Sequence, residues 1–131
     1  MEGITKNNFA DLIKEKFPRF IPYWEDNVNY WGLELASNDV MPFAYNAVDE
    51  IKSENEKEIE NIFILVEFLM CAGDEYVQTV IATYFLEYLL SKDPDEIQFI
   101  KFRQYLGKET IAYCRAWDKF TGVMTKGLHD D

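Results

Sequence analysis

The chain has 131 residues, enough for one domain that buries roughly 65–70% of the surface its unfolded form exposes, so a core needs neither a metal nor a disulfide. Its residues are 48% hydrophobic and include ten Phe, eight Tyr and three Trp, a composition that excludes a disordered polymer. The net charge of −11 is concentrated in residues 20–91, where fourteen acidic side chains face only Lys52 and Lys57; such a field repels phosphates, which disfavours direct nucleic-acid binding, and steers basic partners.

Phe9, Leu12, Ile13 and Phe17 recur at helical spacing and Pro18 closes the pattern, predicting a first helix from about Thr5 to Phe17. The next segment, PRFIPYWEDNVNYWGLELASND, has two prolines, Gly32 and no clean period, and reads as irregular or short-helical. Asp39 is placed to cap a helix in which Val40, Phe43, Ala44, Ala47, Val48 and Ile51 share one face, with Pro42 tolerated in its first turn. Asp49, Ser53 and Glu56 point away from that face.

The charged run SENEKEIE leads into a helix that aligns Ile59, Ile62, Phe63, Val66, Leu69 and Met70, with Gly73 in the glycine position that commonly follows a helix. Ile64, Leu65 and Phe68 fall on its other sides, and a helix that is apolar all round is expected at the centre of a fold. Asp74 is placed to cap the following helix, which carries Val77, Val80, Ile81, Tyr84, Phe85, Tyr88 and Leu89. In DPDE, Asp93 to Glu96, a capping aspartate, a first-turn proline and a capping-box glutamate predict another helix carrying Ile97, Ile100 and Tyr105 as far as Gly107. A last helix from about Lys108 to Phe120 sets Ile111, Cys114 and Trp117 on one side, and the tail GLHDD is expected to fray. No segment alternates with period two. The predicted fold is therefore all-α: a single compact bundle over residues 1–131, five or six helices in successive antiparallel hairpins around a central apolar helix.

Standard enzyme signatures are missing: there is no GxSxG, P-loop, dinucleotide glycine fingerprint, HExxH or EF-hand loop. The single histidine, His129, lies in the polar tail, where a catalytic base would lack fixed geometry. Cys71 and Cys114 have no CxxC spacing and read as buried reduced thiols. The stretch MEGITKNNFADLIKEKF has no signal-peptide core, and the apolar runs fall short of the roughly 20 residues a bilayer span needs, so the chain reads as cytoplasmic and without a membrane partner.

Glu67 and Glu87 stand inside the apolar runs FILVEFLM and YFLEYLL. Carboxylates on facing helices can hold metals, but the di-iron pattern couples them to Glu-x-x-His motifs, which this chain cannot form. Each lies at the flank of its helix's apolar stripe, within reach of a tyrosine or arginine on a neighbour. A partner is required there, because an unpaired buried charge costs on the order of 3–5 kcal/mol. With Asp74 they read as structural polar anchors, a catalytic role for the two glutamates being the alternative.

The acidic aromatic patch YWEDNVNYWG, Tyr23 to Gly32, is the better binding candidate, since aromatic side chains give large contact area at low entropy cost and Glu25 and Asp26 can meet basic groups. Trp24, Glu25, Asp26, Tyr30 and Trp31, with Asp39, Asp49 and Glu56 further along, form the predicted partner-binding set; the competing reading has Trp24 and Trp31 plugging the end of the bundle. No catalytic residue, metal or cofactor is predicted.

The stretch FILVEFLMCAGDEYVQTVIATYFLEYL and the later LGKETIAYCRAWDKF resemble a group of small acidic bacterial proteins of uncharacterised function. The resemblance is carried by Glu67, the GDE of Gly73 to Glu75, Val77, Gln78 and the FLE of Phe85 to Glu87. Similar proteins look like the immunity partners of contact-dependent or polymorphic toxins. The likeness covers about the second half of the chain, and the acidic aromatic patch lies in the half that matches much less. It implies a non-enzymatic antitoxin-like protein that binds and neutralises a cognate basic toxin domain, for which a nuclease fits because nuclease substrate sites are basic. A helical adaptor or scaffold unrelated to toxins is the second class left open, and an enzyme using carboxylates alone the third.

Overall fold

A computed structural model describes the backbone of residues 3–31 and 37–129, with side chains for 3–29 and 40–129. Among the described residues it has six helices and no strand: α1 (Phe9–Lys16), α2 (Phe20–Trp31), α3 (Ser37–Lys52), α4 (Glu56–Ala72), α5 and α6 (Lys108–Thr121). α5 is continuous through three pieces, Glu75–Ile81, a π-helical turn Ala82–Leu86, and Glu87–Leu90. The all-α bundle expected from the apolar periodicity is what forms. None of these helices is long and apolar enough to cross a membrane.

α3 packs against α2, α4 and α5, and α4 against α6. The core they enclose is strung on phenylalanines: Phe17 and Phe20 meet Phe43, Phe43 meets Phe85 at 5.0 Å between ring centroids, Phe85 meets Phe63, and Phe63 stacks on Phe102 at 5.3 Å. Offset and edge-on aromatic pairs of this kind add about 0.5–1.5 kcal/mol each beyond their area. The π turn has its own cause in the sequence. Val77, Ile81, Phe85 and Leu89 are all buried and recur every fourth residue, a spacing that drifts around a 3.6-residue helix; one wider turn re-phases them onto the core.

Five local expectations are corrected or sharpened. Of the two readings of segment 20–31, irregular or short-helical, the helical one holds and the helix is a full 12 residues, because Pro18 precedes α2 and Pro22 falls in its first turn, where no amide is required. α3 begins at Ser37, so Asp39 falls inside the helix instead of capping it, and Pro42 stands past the first turn instead of within it. The helix predicted after Asp93 is a single turn: Asp93 Oδ1 accepts from Asp95 N at 2.8 Å and its carbonyl from Ile97 N at 3.0 Å. Two 3₁₀ turns follow, Phe99–Lys101 and Arg103–Tyr105. The buried residues there are Ile97, Phe99, Phe102 and Leu106, spaced by two, three and four, which no single α-helical face can hold; Ile100, expected inside, is 50% exposed.

The tail, fourth, does not fray as far as it is described. Gly122 ends α6 in the left-handed region at φ 80°, the chain turns back, and Leu128 is fully buried. Gly127, at φ 97°, packs so closely that a Cβ would lie 2.7 Å from Ile100 Cα. Fifth, Cys71 is exposed; only Cys114 is a buried thiol.

Two other features differ in detail. Gly73 follows α4 in an extended conformation, φ −69° and ψ 153°, so it serves close approach and not a left-handed turn: a Cβ would be 2.6 Å from both Leu69 O and Val77 Cγ1. Ile4 completes this corner by accepting from Asp74 N at 2.8 Å. α4 buries Leu65 along with its main apolar stripe, but Ile64 and Phe68 stay 60% and 40% exposed.

Candidate functional site

The acidic surface is built on α2, α3 and the turn into α4. Phe20 is fully buried and anchors α2 on Phe43, which sends Tyr23 toward α3 and leaves Glu25 and Asp26 exposed. Tyr23 donates its hydroxyl hydrogen bond to Asp49 Oδ2. That bond, followed by partial burial and the charges of Asp49 and Glu50, pushes the phenol up to about 12. Trp24 is half-buried, with Lys14 Nζ 3.4 Å from its ring centroid, a cation–π contact that ties α1 to α2. The side chains of Tyr30, Trp31 and Asp39 lie outside those described.

Beside Asp49, Glu50 is only 8% exposed and joins three segments: Arg19 Nη1 donates to its two oxygens at 3.3 and 3.2 Å, and Asn55 Nδ2 donates at 3.0 Å. The α3–α4 turn then closes with Asn55 N on Glu50 O at 3.1 Å and Glu54 N on Ile51 O at 3.1 Å, the two bonds of a helix-ending motif that places its central residue in the left-handed region. That residue is Glu54, at φ 56°, where glycine is the usual occupant.

Glu56 opens α4 and lines a cleft of about 620 Å³ between this turn and the 95–105 segment. Four carboxylates, Glu54, Glu56, Asp95 and Glu96, line it against Lys52 and Lys101, and both lysines are engaged: Lys52 with Glu96 at 2.5 Å and Lys101 with Glu54 at 3.9 Å. Tyr105, also in the wall, has its phenol shifted up by burial, then by the charges of Glu56 and Glu60, and by a hydrogen bond to Glu56. The structure thus places Glu56 in a cleft, Asp49 in a tyrosine contact, and Glu25 and Asp26 free on the surface of α2.

The three anchors sit elsewhere. Glu67, on α4, accepts from Glu109 N at 3.0 Å and from Thr110 N and Thr110 Oγ1, both at 2.9 Å, and so caps α6 from another helix. Burial disfavours its charged form, but the hydrogen bonds from Thr110 and Glu109 outweigh that and hold the carboxyl below its ordinary value. Cys71 Sγ lies 3.4 Å from Glu67 Oε2, and this contact, with burial, shifts the thiol up. Asp74 Oδ1 accepts from Val77 N at 2.9 Å and caps α5. Glu87 accepts from the Tyr113 hydroxyl, whose phenol is raised by burial and by that bond.

One polar cluster has no counterpart in the sequence reading. Asp118 is 1% exposed and accepts from Thr125 N, Thr125 Oγ1 and His129 Nε2, each at 2.8 Å, while Arg115 Nε donates to Leu128 O. Burial and the Asp118 charge push the Cys114 thiol up to about 12, which keeps it protonated. Glu50, Gly107 and Asp118 hold segments together in ways the sequence pattern does not mark. Only Gly107 left a local signal: it precedes α6 with no side chain able to cap, so an acceptor had to come from elsewhere.

Residues 10–122 match the model of a family described as a domain of unknown function, DUF7674. The chain belongs to that family. The family match takes in the acidic surface, the cleft and all three anchors, and it ends at Gly122, ahead of the returning tail. No curated protein and no solved structure matches the chain.

Proposed function

We propose that this chain is a non-enzymatic binding domain that neutralises a basic protein partner, and that it is the immunity partner of a toxin with a basic domain of nuclease type. The observation that supports it is the succession of exposed carboxylates, Glu25, Asp26, Asp49, Glu54 and Glu56, along α2, α3 and the start of α4, continued by Asp95 and Glu96 across the cleft. A surface of this sign accelerates encounter with cationic domains, and association slows as salt rises. It also competes for the groups a nuclease uses to hold phosphates. The setting of toxin and immunity protein comes from the resemblance of the second half of the chain, and a cytoplasmic location goes with it.

The test is co-expression with the toxin domain encoded by the neighbouring reading frame. Co-purification and restored growth are expected; two proteins that do not associate, with killing undiminished, would sink the reading. A second reading, a helical adaptor unrelated to toxins, is favoured by an apolar trough of about 580 Å³ between α1 and α4, walled by Leu12, Phe17, Ile64 and Phe68. An amphipathic helix is the chemistry that fits it. Pull-down from the native host separates the two readings: a housekeeping partner whose binding is lost in Phe68→Glu and kept in Glu25→Lys favours the adaptor.

A further inference from the structure

Four of the large apolar side chains left at the surface gather at one end of the molecule: Ile100 is 50% exposed, Val123 54%, Met124 75% and Phe120 81%. Trp117 packs on Phe120 with ring centroids 5.7 Å apart. Ile100, Val123 and Met124 line a groove of about 370 Å³ whose charged rim is Lys92, Lys126 and Asp95. This is a built feature: Asp118 holds Thr125 and His129, Gly127 packs on the Ile100 backbone, and Leu128 is fully buried, so the strand of chain that presents Val123 to Lys126 is clamped at both ends. Apolar groups exposed together on a rigid frame mark a surface that another molecule covers.

The occupant follows from what lies next to the groove. Asp95 and Gln98 line it and also line the acidic cleft of Glu54, Glu56 and Glu96. An apolar surface edged by Lys92 and Lys126 therefore adjoins one whose carboxylates outnumber its lysines, Lys52 and Lys101, the latter surface floored by Ile51, Ile59 and Phe102. Two neighbouring complementary surfaces become self-complementary under a two-fold axis, since residue i of one copy then meets residue j of the other, and j meets i. We infer that the chain pairs with a second copy of itself, the groove at Val123–Lys126 of each copy covering the acidic cleft at Glu54–Glu56 of the other, with the axis near Asp95 and Gln98. An anionic membrane fits this surface less well: few lysines rim it, and the net charge of −11 repels such a bilayer. The same net charge opposes the approach of two copies only at long range, because at 0.15 M salt it is screened beyond about 8 Å while pairs in contact persist.

The pairing is measured on the chain alone, so its test is separate from that of the toxin partner, with which a second copy would compete for Glu54, Glu56 and Glu96. Sedimentation of the full chain over a wide concentration range at physiological salt should show a monomer–dimer equilibrium. Met124→Glu and Lys126→Glu, both on exposed side chains, should each weaken it about tenfold or more with the melting temperature unchanged. Glu56→Lys combined with Lys126→Glu in one chain reverses both members of the reciprocal contact and should restore the dimer. A chain that stays monomeric at millimolar concentration, a dimer indifferent to Met124→Glu, a double exchange as weak as the single ones, or open-ended assembly in place of a dimer would each overturn the inference.

Discussion

Gly107 and Glu67 are fitted to one another across the junction of α4 and α6: a β-carbon on Gly107 would overlap the Glu67 carboxylate. The glycine is extended, at φ −79°, so its role is space and not backbone freedom. Into that space the carboxylate reaches the first amides of α6, which no residue of α6 itself caps. A negative charge at a helix N-terminus also meets the positive end of the helix dipole, so one side chain satisfies donors, complements the dipole and fixes the crossing of two helices.

Glu67→Ala should therefore cost about 1–2 kcal/mol, the range for loss of a helix cap. Gly107→Ala should cost about 1–3 kcal/mol through overpacking, because the carboxylate must leave. The pair should be far from additive: once Glu67 is Ala the space is free, and Gly107→Ala should add little. Urea unfolding of the two single variants and the double checks this, and additive losses would refute the fit.

The same carboxylate makes stability depend on pH. Its folded value lies below the ordinary 4.5, so its contribution is fully present above that value and is lost as pH falls through the folded one. Glu67→Gln should be less stable than the parent at neutral pH, and the gap should shrink on acidification below about pH 4.5. A variant that instead keeps full stability, while an activity disappears, would mark Glu67 as a catalytic group.

The repeating apolar faces of α1, α3, α4, α5 and α6 were legible because burial acts on each helix through its own period, and the capping aspartate of α5 because a cap is a local bond. The α2 helix was hidden by its prolines, although Pro18 precedes it and Pro22 stands in its first turn, where no amide is needed. Asp93 to Glu96 misled for the opposite reason: its capping signals were correct for one turn, and the demand to bury Ile97, Phe99 and Phe102 together then overrode them. Contacts such as Glu67 with Thr110, or Asp118 with His129 and Thr125, depend on how segments pack, and nothing in the residues near Glu67 names α6 as its partner. The acidic surface was visible as composition, but its division into an open part at Glu25 and Asp26 and a cleft at Glu56 required the fold.

Glu54 carries a local conformational cost. A non-glycine residue in the left-handed region loses about 1–2 kcal/mol, partly offset in glycine by its greater freedom when unfolded, so Glu54→Gly should stabilise the protein by about 0.5–1 kcal/mol. Thermal unfolding reads the gain directly. If the glutamate serves the basic partner, the stabilised variant should bind it less tightly; a glycine variant that is less stable would show that the Lys101 contact outweighs the strain.

The returning tail should behave as part of the fold. Asp118 is buried and satisfied by three donors from the tail, so Asp118→Ala leaves those donors without an acceptor and should cost about 1–3 kcal/mol. His129→Ala should cost less, because Thr125 still holds the carboxylate. Amide hydrogen exchange gives an independent reading: Thr125 N, bonded to Asp118 Oδ2, and Leu128 N, bonded to Thr125 O, should be protected in the parent and exchange rapidly in Asp118→Ala. Rapid exchange at both in the parent would return the tail to a frayed state.

Charge reversal separates the carboxylates that face a partner from those that hold the fold. Glu25 and Asp26 are exposed, with no hydrogen bond or ion pair among the described residues, so Glu25→Lys and Asp26→Lys should leave the melting temperature within experimental scatter. Asp49 differs, because it accepts from Tyr23 across the α2–α3 contact. Asp49→Lys should lower stability by about 0.5–1.5 kcal/mol, the net worth of an ordinary hydrogen bond, and Tyr23→Phe should show a similar loss at neutral pH. The Tyr23 phenol, raised to about 12, adds stability that is present below its unfolded value near 10 and fades as pH rises toward 12, so in Tyr23→Phe that alkaline loss should be smaller. With a basic partner in hand, all three reversals should weaken binding, and at Glu25 and Asp26 the loss should appear mainly in the association rate and diminish at high salt. If Glu25→Lys and Asp26→Lys bind as the parent does while Glu56→Lys does not, the partner sits in the cleft and not on α2.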